Sequence, residues 1–186
     1  MDKTPQENKI ILGVSSMWIY ILINQSYIYQ SYFMVFLFLN MIIASPLYWY
    51  HHNMYSYSYY YDLTSVSIYG IILFYNTLIL YNLYILSIFS GLVLFFYYLS
   101  DYYLHKQLYT YQLLCHILFR YIFFIWSYLY INNFDKYLYL TFISINYFLY
   151  NFYLYKRIKK YNLVIYLQHC IQILLLSIFY EYLIKL

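Results

Sequence analysis

Arg120 is the residue whose chemistry most needs a reason. It stands in "LLCHILFRYIFFIWSYLYI", residues 113–131. About twelve apolar or aromatic residues lie on either side of it, too many for its stem to carry the charge comfortably out to water. At helical spacing His116 lies one turn before it and Ser127 about two turns after it, a polar stripe on an otherwise apolar helix. A permanent cation at that depth either ties helices together through backbone carbonyls or acts as a fixed charge on an ion path.

A second set of polar groups lies in "NLVIYLQHCIQILLLSIFYEYLIKL" at the C-terminal end. Gln168 and Gln172 share a helix face, His169 stands beside them and Glu181 closes the span. An amide pair can simply join helices. Amide, imidazole and carboxylate groups opposite a cation also suit a proton path, in which groups that donate and accept line a wet cavity. Asp62 is a further ionisable candidate. His51-His52, Asp62 and His169 loosely resemble the zinc ligands of the seven-helix ceramidase and progestin-receptor-like hydrolases. That pattern needs a His where Ile165 stands and a Ser where Leu47 stands, so His51-His52 are expected in an interfacial loop with no metal. There is no Gly-rich phosphate loop, nucleophile elbow or HExxH motif, and no cofactor is implied. Cys115 and Cys170 lie inside apolar runs and read as small buried hydrophobes, not as a disulfide framework.

The elements that must hold these groups are set by the medium. Hydrophobic residues make up 66% of the 186 and charged residues 9%, so the chain cannot cover itself with polar groups and lipid or protein must do so. Apolar runs of membrane-spanning length follow one another, and no polar second face argues for barrel strands. The fold class expected is an all-α integral membrane protein with about five to six membrane-embedded helices. The net charge of +4 comes largely from "YKRIKKYN", expected to be a turn that faces lipid headgroups and not a nucleic-acid site.

Along the chain, residues 1–9 read as a polar, uncleaved tail and 1–186 as a single membrane domain. The first helix is expected over Ile10–Asn24. A second runs over Tyr27–Ala44 and stops at Ser45-Pro46, because proline cannot continue the ladder. A third is expected to start at Asp62, capped by Asp-Leu-Thr-Ser, and to run to Leu83. Apolar stretches over 84–100, Leu108–Ile131 and 137–186 follow, the last interrupted by "KRIKK". Residues 10–100 thus form an N-terminal group and 101–186 the part that carries Arg120 and Gln168.

Three segments resemble subunit a of the F-type ATP synthase, in the family's order. "FLNMIIASP" is similar to its Asn-Leu-Leu-Gly-x-x-Pro stretch, with Asn40 and Pro46 at the same separation. "DLTSVSIYGIILFYN" resembles the Asp-Leu-Asn-x-Thr opening of the next helix. "IYLQHCIQILLLSIFYEYL" resembles the family's last helix, with Gln168 in place of its glutamine and Leu174, Leu175 and Ser177 following in register. "LCHILFR" then puts Arg120 at the essential arginine, 48 positions before Gln168. The chain departs from the family at Phe123 and Phe124, where an Asn is usual, and at Leu129 and Tyr130, where a Gly-His or Glu is usual. It departs again at Tyr161 and Asn162, in a region where an acid is usual.

The resemblance implies a stator subunit that provides proton half-channels, with Arg120 and Gln168 facing the carboxylates of a c-ring. The proton path would draw on Glu181, His169, Gln172, His116 and Asp62. It implies that the 108–131 and 161–186 helices pair as a long tilted hairpin against the ring. Its partners would be the c-ring, the peripheral stalk and other Fo membrane subunits in a lipid bilayer. It also implies the mitochondrial inner membrane. The wealth of Tyr, Ile, Leu, Phe and Asn suits an AT-rich, organelle-encoded gene. The other readings are a seven-helix membrane metal hydrolase and a non-catalytic accessory subunit of a respiratory complex.

Overall fold

The computed structural model describes residues 5–51, 56–80, 83–131, 137–157 and 163–184. Helices follow one another: α1 (Pro5–Ser15), a 3-10 turn (Ser16–Trp18), α2 (Ile19–Ile28), α3 (Tyr32–His51), α4 (Tyr57–Leu80), α5 (Leu83–His105), α6 (Tyr109–Ile131), α7 (Tyr137–Arg157) and α8 (Leu163–Ile184). Glu7–Ile28, Tyr32–Tyr50, Tyr57–Ile79, Leu83–His105 and Tyr109–Ile131 are each long and apolar enough to cross a bilayer. This is an all-α, multi-pass membrane protein. Its outer surface agrees: Tyr84, Leu94, Phe95 and Tyr98 on α5 are all more than half exposed, a face suited to lipid.

The joined α1–α2 helix is the centre of the bundle. Ile10, Ile11, Leu12, Val14 and Ile21 are fully enclosed, and α3, α6, α7 and α8 all pack on it. Its 3-10 turn falls where side chains enter the backbone ladder. Ser15 Oγ donates to the Leu12 carbonyl at 2.9 Å and Ser16 Oγ to that of Gly13 at 2.5 Å. Two turns between helices are Schellman caps. Ser31 N donates to Ser26 O and Gln30 N to Tyr27 O, with Gln30 at φ 56°; Leu108 N and Gln107 N repeat the pattern on Tyr103 and Leu104, with Gln107 at φ 58°.

Several expected boundaries move. The first helix is under way at Pro5, so residues 5–9 are helical, and it runs on through Asn24-Gln25-Ser26 to Ile28. Gln25 and Ser26 are buried there. Pro46 lies inside α3 and does not end it. This stretch is tied to other helices: Ser45 Oγ donates to Asp62, and the Pro46 carbonyl accepts the Tyr166 hydroxyl at 2.7 Å. Asp62 does not begin α4. Ser56 caps that helix by accepting the Tyr59 N–H at 3.2 Å, and Asp62 sits more than a turn further in.

The hairpin expected between the 108–131 and 161–186 helices is not how they pack. α6 runs along α5 and also meets α1, α2, α4 and α7, while α8 packs on α1, the 3-10 turn and α2. Both pack on the first helix, which also supplies Arg120 with two oxygen acceptors.

Candidate functional site

Arg120 leans from α6 into the bundle, in the direction helical side chains favour, toward the start of their own helix. Its Nη1 donates to the Leu12 carbonyl and, at 2.9 Å, to Ser15 Oγ. The guanidinium carbon lies 5.3 Å from the Trp49 ring centroid, within cation–π range. Nε and Nη2 have no partner among the described residues, so part of the charge faces open space.

That space is a cavity of about 230 Å³ between α1, α3, α4, α5 and α6, and Asp62 faces it too. Asp62 accepts a hydrogen bond from Ser45 through Oδ1. Arg120 and Asp62 both line the cavity, with no ion pair between them. Tyr48, Trp49, Tyr69 and Phe123 form much of the remaining wall. Water placed there would find a donor on Arg120 and an acceptor on Asp62, the partners a buried water needs.

His116 joins the same cavity, with Nδ1 3.2 Å from Ser100 Oγ and its ring 5.0 Å from that of Trp49. Ser127 turns back to the Phe123 carbonyl at 2.7 Å and takes no part. The polar stripe expected on this helix therefore contributes Arg120 and His116 to the cavity.

The C-terminal cluster forms a separate site. Tyr150 on α7 donates to Gln172 Oε1 at 3.0 Å, and His169 Nδ1 stands 3.1 Å from that hydroxyl and 2.9 Å from the same amide oxygen. This triad joins α7 to α8. Gln168 lies on the exposed face of α8. Tyr166 faces the first helix at Gly13, and Gln168, two residues on, points roughly 200° away around the helix. Arg120 and Gln168 therefore do not share an outward surface: one looks inward at α1, the other away from it. Glu181 lies within α8, and its side chain falls outside the described residues, as does that of His51 at the end of α3. His52 is outside them altogether. Among the described residues no three of His, Cys, Asp and Glu converge where a metal could sit.

Sequence reasoning missed Ser15, Ser45, Trp49 and Tyr150. Of these only Ser45 had a signal, its place beside Pro46 in a span with few polar groups.

No protein family, curated protein or solved structure matches the chain.

Proposed function

We propose that this chain is a proton-translocating membrane subunit of the kind represented by subunit a of the F-type ATP synthase. It would work in the mitochondrial inner membrane against a c-ring, with the peripheral stalk and other Fo subunits as neighbours. One observation carries the reading: a permanent guanidinium at mid-span, with free donors, shares a membrane-embedded cavity with a carboxylate. A ring carboxylate can cross lipid only when neutral, because exposing its charge to hydrocarbon costs several kcal/mol. A fixed cation between two half-channels holds that carboxylate after it loses its proton. Arginine keeps its own proton at any working pH and so cannot short-circuit the path, whereas a buried lysine can.

In this reading a ring carboxylate must reach a guanidinium that α1 now covers, so Arg120 has to exchange Leu12 and Ser15 for the ring. The same ties favour a second reading, an accessory membrane subunit in which Arg120 only joins α6 to α1.

ATP-driven proton pumping in complexes carrying Arg120→Gln or Arg120→Lys separates the two. The first reading expects co-isolation with the c-ring and loss of pumping in both variants. Absence of the chain from the ATP synthase, or near-normal pumping with Lys, leaves the accessory reading.

A further inference from the structure

The described basic residues outside the middle of the bundle all lie at one end. Lys9 is near the start of the first helix, Lys106 is in the α5–α6 turn, and Lys156 and Arg157 close α7. Segments joining the helices from Ile28 onward have at most five residues. At about 3.5 Å per residue these are too short to recross a core of about 30 Å, so successive joins alternate between the two faces. Direct bonds fix the same register. Asn8 donates to the Tyr109 carbonyl at 2.7 Å, tying the starts of α1 and α6, and Tyr166 reaches Pro46, tying the start of α8 to the end of α3. At the other end no Lys or Arg occurs among the described residues. In the sequence, Lys3, Lys136, Lys159, Lys160 and Lys185 lie outside the described residues.

The Arg120–Asp62 cavity is closed on one side only. Its deep wall is Leu22, Phe38, Tyr69 and Phe124, all buried. Toward the basic end its lining reaches exposed Asp101 and half-buried Leu104 and Tyr109. Leu63 and Tyr97 flank it between α4 and α5, where an apolar and aromatic rim suits lipid.

We propose that this cavity is a one-sided aqueous vestibule that opens at the basic end of the bundle, and that this end faces the compartment from which the chain is inserted. Basic residues are retained on the insertion side, which sets orientation. Water can follow the polar groups inward from Asp101 past Gln112 and His116 to Arg120 and Asp62, and the aromatic floor stops it there. The inference deepens the reading of the Arg120–Asp62 cavity as part of a proton path, while its test needs only a membrane-spanning chain.

Cysteine accessibility tests it in native membrane vesicles of both orientations, in a Cys115→Ala/Cys170→Ala background. Ser16→Cys and Gln112→Cys report the cavity, Ser100→Cys its approach, and Ser31→Cys the opposite end. Cationic and anionic membrane-impermeant methanethiosulfonates are applied from one side at a time, and mass shifts are followed over time. The expected result is that the first three react at least about tenfold faster from the insertion side, and Ser31→Cys from the other. Two lining positions guard against a single variant that fails to accumulate. Equal labelling of the cavity positions from both sides overturns the floor. No labelling of either while Ser100→Cys reacts overturns the wet vestibule, and the reversed pattern overturns the orientation.

Discussion

Ser45 on α3 donates its hydroxyl proton to the Asp62 carboxylate on α4, across 17 positions of sequence. The bond holds Asp62 against the cavity and braces α3 at the residue before Pro46. Ser45 is buried, so its loss leaves a carboxylate oxygen without its donor. Ser45→Ala should destabilise the folded chain by about 1–3 kcal/mol. Thermal unfolding in detergent measures this, and Ser45→Thr, which keeps the hydroxyl, should recover most of the loss. Equal stability of all three proteins would show that the bond contributes nothing.

Arg120→Gln and Arg120→Lys should both leave the chain inserted and assembled, because one side chain decides little in a bundle with this much apolar surface. If the chain is the proton-translocating subunit proposed above, both should stop ATP-driven pumping. Gln removes the charge, and desolvation can lower a buried lysine's pKa by several units. Quantifying the assembled complex on native gels alongside pumping keeps the two effects apart. Loss of assembly in both variants would instead mark Arg120 as a tie between α6 and α1.

At Gly13 the first helix and α8 are in close contact through Tyr166. A Cβ there would run into the Tyr166 hydroxyl and lie 2.7 Å from its ring carbon Cε2. Tyr166 is buried and held by the Pro46 carbonyl, so the ring cannot swing aside cheaply. Gly13→Ala should cost about 1–3 kcal/mol through overpacking. Tyr166→Leu in the Gly13→Ala background should restore part of it. Purely additive effects in the double variant would rule out this contact as the cause.

Gln30 and Gln107 occupy the left-handed cap positions of their turns, at φ 56° and 58°. An L side chain is strained there and glycine is not. Gln30→Gly and Gln107→Gly should each raise stability by up to about 1 kcal/mol, read as a higher unfolding temperature in detergent. A fall in stability would mean that the glutamine side chains make contacts worth more than the strain.

The helical, membrane-spanning character was legible because it depends on a sum over many residues. Long apolar runs with few charges admit one solution in lipid, in which each segment bonds its own backbone. The α6 boundaries and the burial of Cys115 and Cys170 follow from the same local pattern, whereas most of "KRIKK" lies outside the described residues. Pro46 and Asp62 misled for a local reason. Each carries a strong helix-end signal, yet each lies inside a helix and bonds to another one, Pro46 to Tyr166 and Asp62 to Ser45.

By itself the sequence determined that lipid surrounds this chain, that its segments are helices, and that Arg120 is too deep to remain without a partner. Only the tertiary structure decided who the partner is. One acceptor is the Leu12 carbonyl, and every residue carries a carbonyl, so no residue type announces it. The pairing also needs α1 to lie between α6 and α8, an order set by packing among helices whose apolar faces are nearly interchangeable. Hydropathy reads the depth of a residue in the membrane, and depth is local. Which helix a residue faces depends on rotation about the helix axis, and a chain apolar on nearly every side leaves that angle to the fit of its side chains.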